Sequence, residues 1–270
     1  ITIDMDGFNM TGDANKENDF GIDISSANVY NFTTVKNGYI YDFGRGVASS
    51  GYNGNFTNLT ISANGDFDIS SIAVGISITK NNNFVTNNNL SNIVNTGSIG
   101  STWGVGIFLQ GGSNNTIQNN ILNSMDSGSN LGYGIYLTSS DNNTLTNNTA
   151  NSNTESGISL TSSDSNTITD NTVNSNTQDG IALSSDDKYN VIENNTVNSN
   201  SANGIYLNIA LYNNITNNTI NSNGGIGIWL YGVFQSSANN TFTNNNIWNC
   251  STGCIYVLGE YNVFDGNKIN

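Results

Sequence analysis

The stretch Gly134-Ile135-Tyr136-Leu137-Thr138-Ser139-Ser140-Asp141-Asn142-Asn143-Thr144-Leu145-Thr146-Asn147-Asn148-Thr149, with Ala150 just beyond it, holds three short apolar sites separated by turn-forming polar residues. Its echoes occupy residues 157 to 173 and 204 to 219. Working outward, a Gly-apolar-x-apolar element or a close relative recurs with its first apolar residue at Ile22, Val47, Ile76, Ile107, Ile135, Ile158, Ile181, Ile205, Ile228 and Ile255. The regular intervals are 23 or 24 residues. A second apolar site follows at Ile117, Leu145, Ile168, Ile192, Ile215 and Phe242, and a third at Leu122, Ala150, Val173, Val197, Ile220 and Ile247. The segments alternate with period two and are too short, and too rich in Asn, Thr and Gly, to be helices. Three short strands in about 23 residues leave no room for a helix, so each strand must pair in parallel with its equivalent one coil away. The expected fold is all-β: a single-stranded right-handed parallel β-helix of about ten coils, three short strands per coil. At about 4.8 Å per coil it makes a rod roughly 50 Å long.

One β-helix domain over residues 1–270 is expected, with less regular coils over 1–134, regular 23–24-residue coils over 135–230 and a C-terminal coil over 231–270. The chain has 56 Asn and 59 Ser or Thr among its 270 residues, a composition that without the periodicity would read as disorder. The periodicity gives the Asn a role. Asn120, Asn148, Asn171, Asn195, Asn218, Asn245 and Asn267 each lie two residues before the third apolar site or its equivalent, one per coil. Such a column can hydrogen-bond along the rod, and Asn tolerates the left-handed backbone of a sharp turn. A second column, Asn153, Asn176, Asn200 and Asn223, continues into Cys250, which places that residue at a coil corner. A local disulfide between Cys250 and Cys254 is therefore favoured over two free thiols, and it suits an extracellular or cell-surface location.

Composition excludes several functions. The chain has no His, so a Ser-His-Asp triad or an imidazole metal site is out of reach. Twenty acids against six scattered bases give a net charge of -14, which leaves no stripe to neutralise phosphates, and no nucleic-acid partner is expected. No apolar run reaches the roughly 18 residues of a membrane span. The Asn-x-Ser/Thr sequons are no more frequent than composition alone gives. The chain opens at Ile1 without an initiator Met and stops partway through a coil, as an excised or mature segment would. Exposed terminal rungs recruit other chains, so neighbouring copies or other surface proteins are the expected partners.

On the residues quoted above, the chain resembles the right-handed parallel β-helix repeat proteins, including the NosD-type and pectate-lyase-like families. It is most similar to Asn/Thr-rich archaeal surface proteins such as the adhesin-like proteins of methanogens. The resemblance spans nearly the whole chain and specifies fold better than activity. It implies either an extracellular structural or adhesive protein, self-assembling into a filament, sheath or array, or a carbohydrate-active protein: a polysaccharide lyase, a hydrolase or a glycan-binding module. The copper role attached to NosD finds no ligands here, with no His and with Met5, Met10 and Met125 dispersed.

Two features carry chemistry. Asp141, Asp164 and Asp187 each lie four residues beyond the Leu of consecutive repeats, with Asp186 beside the last. Stacked one coil apart, they would raise one another's pKa, recruit a cation or serve as the carboxylate pair of a glycosidase; the plain alternative is that they open solvent-facing turns. Enzymes of this fold also use basic residues, and only Lys188 is near, so their catalytic patterns are not matched. The second feature is the x of Gly-Ile-x-Leu, which points outward if its neighbours point in. That column reads Phe108, Tyr136, Ser159, Ala182, Tyr206, Trp229 and Tyr256. It is expected to be an exposed sugar platform or contact face, with Ser159 and Ala182 forming a shallow notch near the Asp row; ordinary cross-strand stacking is the alternative. Trp103, Leu131 and Tyr133 line the bulge of the longest coils. No cofactor is expected, although Asp13, Glu17 and Asp19 alternate somewhat like a calcium loop that lacks its Gly and its terminal Glu.

Overall fold

The computed structural model describes residues 1–12, 19–25, 30–65, 72–95, 103–127, 131–232 and 237–270. Among them there is no helix, and the strands pair in parallel from coil to coil. One sheet holds ten strands, from Phe20–Ile24 to Gly253–Val257, one for each expected coil. A branched sheet of 15 strands and a four-stranded sheet, Thr196–Asn198 to Lys268–Ile269, form the remaining walls with a short three-stranded sheet.

The register follows the repeat. Ile107, Ile135, Ile158, Ile181, Ile205, Ile228 and Ile255 are successive partners in the ten-stranded sheet. All but Ile255 are fully buried in one contiguous apolar cluster that runs from Met5 to Ile247. Each such side chain removed from water contributes about 1.5–3 kcal/mol, and no coil could bury its own without a neighbour above and below. Gly opens the Gly-Ile element because coils approach closely there: a β-carbon on Gly204 would lie 2.5 Å from the carbonyl oxygen of Gly227.

The first coils depart from three short strands. Thr34–Tyr41 and Asn55–Ser62 are continuous eight-residue strands, where later coils have pairs such as Thr144–Thr146 and Thr149–Asn151. The same corner is nevertheless present, at Asn37 and Asn58, both in left-handed backbone.

The Asn columns are more extensive than their spacing suggests. Most Asn in these columns accept, on Oδ1, both the backbone N–H and the side-chain amide of the equivalent Asn in the preceding coil. Asn171 thus donates its N–H (2.9 Å) and its Nδ2 (3.0 Å) to Asn195 Oδ1, and its Nδ2 also donates to the carbonyl of Leu145 (2.9 Å). The Asn120-to-Asn267 column extends back to Asn88. A further column joins Asn83, Asn115, Asn143, Asn166, Asn190, Asn213, Asn240 and Asn262. The left-handed turn is not made by these residues, contrary to the sequence reading. It falls one residue earlier, at Asn119, Asn147, Asp170, Asn194, Asn217 and Asn244. The division is physical: the turn residue reverses the chain, and the next side chain then points inward to satisfy buried amides.

Candidate functional site

The Asp row does not form as expected. Asp141 and Asp164 are equivalent, with the Asp164 N–H donating to Asp141 Oδ1 at 2.8 Å, but the next residue in that column is Lys188, whose N–H donates to Asp164 Oδ1 at 2.8 Å. Asp187 lies one position away, in an inward column with Ser140 and Ser163, and is fully buried. The shift comes from one extra residue in the turn, where Ser185 and Asp186 are both left-handed, with φ of 66° and 74°. Counting four residues from Leu183 misses this bulge. The two oxygens of Asp187 accept the N–H groups of Ser163 (2.6 Å) and Ser184 (2.5 Å). Burial outweighs those bonds and pushes its carboxyl up to about 7. Asp186, by contrast, is exposed and paired with Lys188 Nζ at 2.6 Å.

The aromatic column keeps its register but not its exposure. Phe108, Tyr136, Ser159, Ala182, Tyr206, Trp229 and Tyr256 are consecutive partners on the ten-stranded sheet. Phe108 and Tyr136 are only 7% and 9% exposed, whereas Tyr256 is 46% exposed. The expected open platform is therefore corrected at its first rungs. Phe108 and Tyr136 stack at 5.5 Å, and Trp103 and Tyr133, from the longest coils, pack against Tyr136 at 5.4 and 5.0 Å. With Val74 and Val105 they make a second apolar cluster outside the sheet. A second aromatic group lies farther along, where Trp229 contacts Tyr206 at 5.1 Å, Tyr231 at 5.8 Å and Tyr256 at 6.3 Å.

Between the two groups lie Ser159 and Ala182, only 7% and 9% exposed, so the shallow notch expected there is corrected as well; beside them are two acids that the spacing did not single out. Tyr133, Ser156, Asp179 and Asn203 precede the strand glycines Gly134, Gly157, Gly180 and Gly204 by one residue. Asp179 accepts the backbone N–H of Asn203 at 2.9 Å and its Nδ2 at 2.8 Å, and Asn203 Oδ1 accepts the N–H of Ile226 at 2.9 Å. Burial raises Asp179 against those bonds. Glu155 is pushed up to about 7, by burial first and then by the Asp179 charge. Tyr133 and Tyr206 are raised as well, each mainly by burial, with Glu155 and Asp179 respectively adding to it. Counting back from each Gly-Ile would have found Asp179; Glu155 has no such signal, because its coil alone places an acid there.

This edge therefore places two carboxyl groups, both held above the usual carboxylate range, between two groups of aromatic rings. That combination suits hydroxyl groups and the C–H faces of sugars. Among the described residues no cluster of three or more acids, Cys or His stands ready for a metal. Asp13 and Glu17 lie outside the described residues, and Asp19 is half-buried. Cys250 and Cys254 form a disulfide with their Cα atoms 5.1 Å apart, at the corner where Asn223 stands one coil earlier. No described helix is long and apolar enough to cross a membrane.

Parallel coils, a continuous core and stacked corner amides define a parallel β-helix. The chain belongs to the right-handed β-helix region family, whose match covers residues 74–235. No curated sequence matches it. Among solved structures it is similar to the periplasmic alginate epimerase AlgG, in a mutant form (TM-score 0.71, 14% identity, 90% of this chain and 61% of that one). It is also similar to the A-module of the Azotobacter vinelandii mannuronan C-5 epimerase AlgE6 (TM-score 0.65, 12% identity, 100% and 80%). A third is the tailspike of E. coli bacteriophage HK620 in complex with a pentasaccharide (TM-score 0.59, 14% identity, 91% and 49%). At such identities the likeness is one of fold, and the chain spans less than two thirds of the AlgG and tailspike chains.

Proposed function

We propose that this is an extracellular adhesive β-helix that holds a polysaccharide across the outer face of its ten-stranded sheet. The observation that carries the reading is the outer column of that sheet, where the small Ser159 and Ala182 part the Tyr136 and Trp229 ring groups beside Glu155 and Asp179. One coil rises about 4.8 Å, close to the advance of one sugar in an extended chain, so successive rungs meet successive sugars. Net charge of -14 argues for a neutral polymer over an acidic one. The pentasaccharide on a tailspike of this fold, and the epimerases among its neighbours, support a polysaccharide partner. The disulfide and the periplasmic neighbour support a location outside the cytoplasm.

Affinity electrophoresis in gels containing neutral polysaccharides tests the reading. Wild type should be retarded by at least one of them, Trp229→Ala should be retarded clearly less, and Trp229→Phe should keep most of the retardation. Equal retardation of wild type and Trp229→Ala would refute it. The adjacent Glu155 and Asp179 favour a second reading, turnover of the bound polymer by an acid and base pair. Release of new chain ends by wild type and not by Glu155→Gln would establish that reading; retention without release leaves adhesion. Sedimentation across a wide concentration range separates either from self-assembly through the same rings.

A further inference from the structure

A different edge of the coil carries residues that stability does not explain. Ten equivalent positions make the corner before the Asn83-to-Asn262 column: Phe32, Asn53, Asn82, Asn114, Asn142, Ser165, Tyr189, Tyr212, Asn239 and Tyr261. All are left-handed, with φ between 56° and 62°. Half of them are Asn, the side chain that accepts this backbone most readily after Gly, and one is Ser. Tyr189 and Tyr212 occupy the corner in two consecutive coils at φ of 57° and 56°. A bulky β-carbon is penalised there, and burial does not compensate, because the two residues are 57% and 47% exposed. Their rings stack face to face, 5.2 Å apart and 15° from parallel, so one contact has to offset two strained residues. Phe32 and Tyr261 hold the same corner in other coils, so what distinguishes Tyr189 and Tyr212 is that their rings form a stacked pair on the surface.

The surroundings indicate what that is. Lys188, one residue before Tyr189, donates from Nζ to Asp186 and from its backbone N–H to Asp164 Oδ1. Both charges are thus present beside the rings, an arrangement that suits hydroxyl groups and not a charged ligand. Ser165 and Asn239 bound the pair along the column. Even with exposed Ile209 nearby in the chain, the apolar area is far short of the roughly 800 Å² per partner of a protein interface. We propose that Tyr189 and Tyr212 form a second saccharide platform, which takes the C–H face of a neutral sugar ring while Asp164, Asp186 and Lys188 meet its hydroxyls. This site does not rest on the sheet-face reading, since either can exist without the other.

The test uses Tyr189→Asn with Tyr212→Asn, which installs the residue found at equivalent corners. Probes are soluble oligosaccharides of glucose, xylose, mannose and N-acetylglucosamine, titrated calorimetrically. The double variant should melt at the same or a higher temperature than wild type and bind at least about tenfold more weakly. Tyr189→Phe with Tyr212→Phe keeps both rings and should retain affinity, which guards against a folding artefact. Wild-type affinity in the Asn variant, or no binding of any probe by wild type, overturns the proposal. Loss in Trp229→Ala alone leaves the sheet-face site and removes the platform; loss in the Asn variant alone does the reverse.

Discussion

A single buried amide shows how the molecule is held together. Asn195 Oδ1 accepts two donors from Asn171, while its own Nδ2 serves the carbonyl of Ile168 and its own N–H and Nδ2 serve Asn218. Asn195→Ala strands at least two buried donors, and at about 1–3 kcal/mol each it should lower unfolding free energy by about 3 kcal/mol in a denaturant titration. Asp187 is the opposite case. Its carboxyl is raised from 3.8 to about 7 in the fold, so the folded state binds the extra proton and stability falls as pH rises between those values. Glu155 and Asp179 are raised too and act in the same sense. Thermal melts should therefore show wild type more stable at pH 5 than at pH 7.5, and Asp187→Ser, matching Ser163 one coil earlier, should flatten that slope. A profile that rises with pH would mean that the amides of Ser163 and Ser184 outweigh burial.

At the scale of the coil, sequence spacing carried most of what the structure contains. The Gly-Ile register and two Asn columns follow from counting, because a solenoid keeps equivalent residues at equivalent places. Counting failed where a turn changed length: the extra residue at Ser185–Asp186 turned Asp187 inward and put Lys188 in its place, and nothing in composition marks a one-residue bulge. It failed again at Phe108 and Tyr136, whose covering rings, Trp103 and Tyr133, come from outside the repeat motif. Asp179 was open to counting back from each Gly-Ile element, whereas Glu155 carries no repeat signal because its coil alone places an acid there. The last coils depend on a local staple. Replacing Cys250 and Cys254 by Ser opens a loop of separation 4, which by chain entropy costs about 2 kcal/mol. Amide exchange should then quicken in Gly253–Val257 and Lys268–Ile269 and stay unchanged in Ile158–Thr161.

The whole molecule is a rod whose interior is uniform and whose surface is not. Its core repeats Ile, Leu and Val with little variation, while the outer column of the ten-stranded sheet changes from rings to Ser159 and Ala182 and back to rings. Uniform interior packing explains why the fold is shared with proteins only 12–14% identical, and the varied exterior is where a role specific to this chain resides. The most direct test is a crystal structure with the neutral oligosaccharide that binds most tightly. A sugar chain lying along the rod over Ser159 and Ala182, with rings contacting it from the Tyr206 and Trp229 side and a hydroxyl on Glu155 or Asp179, is the predicted result. A bound oligosaccharide that touches neither this stretch of the sheet nor Glu155 and Asp179 would contradict the account.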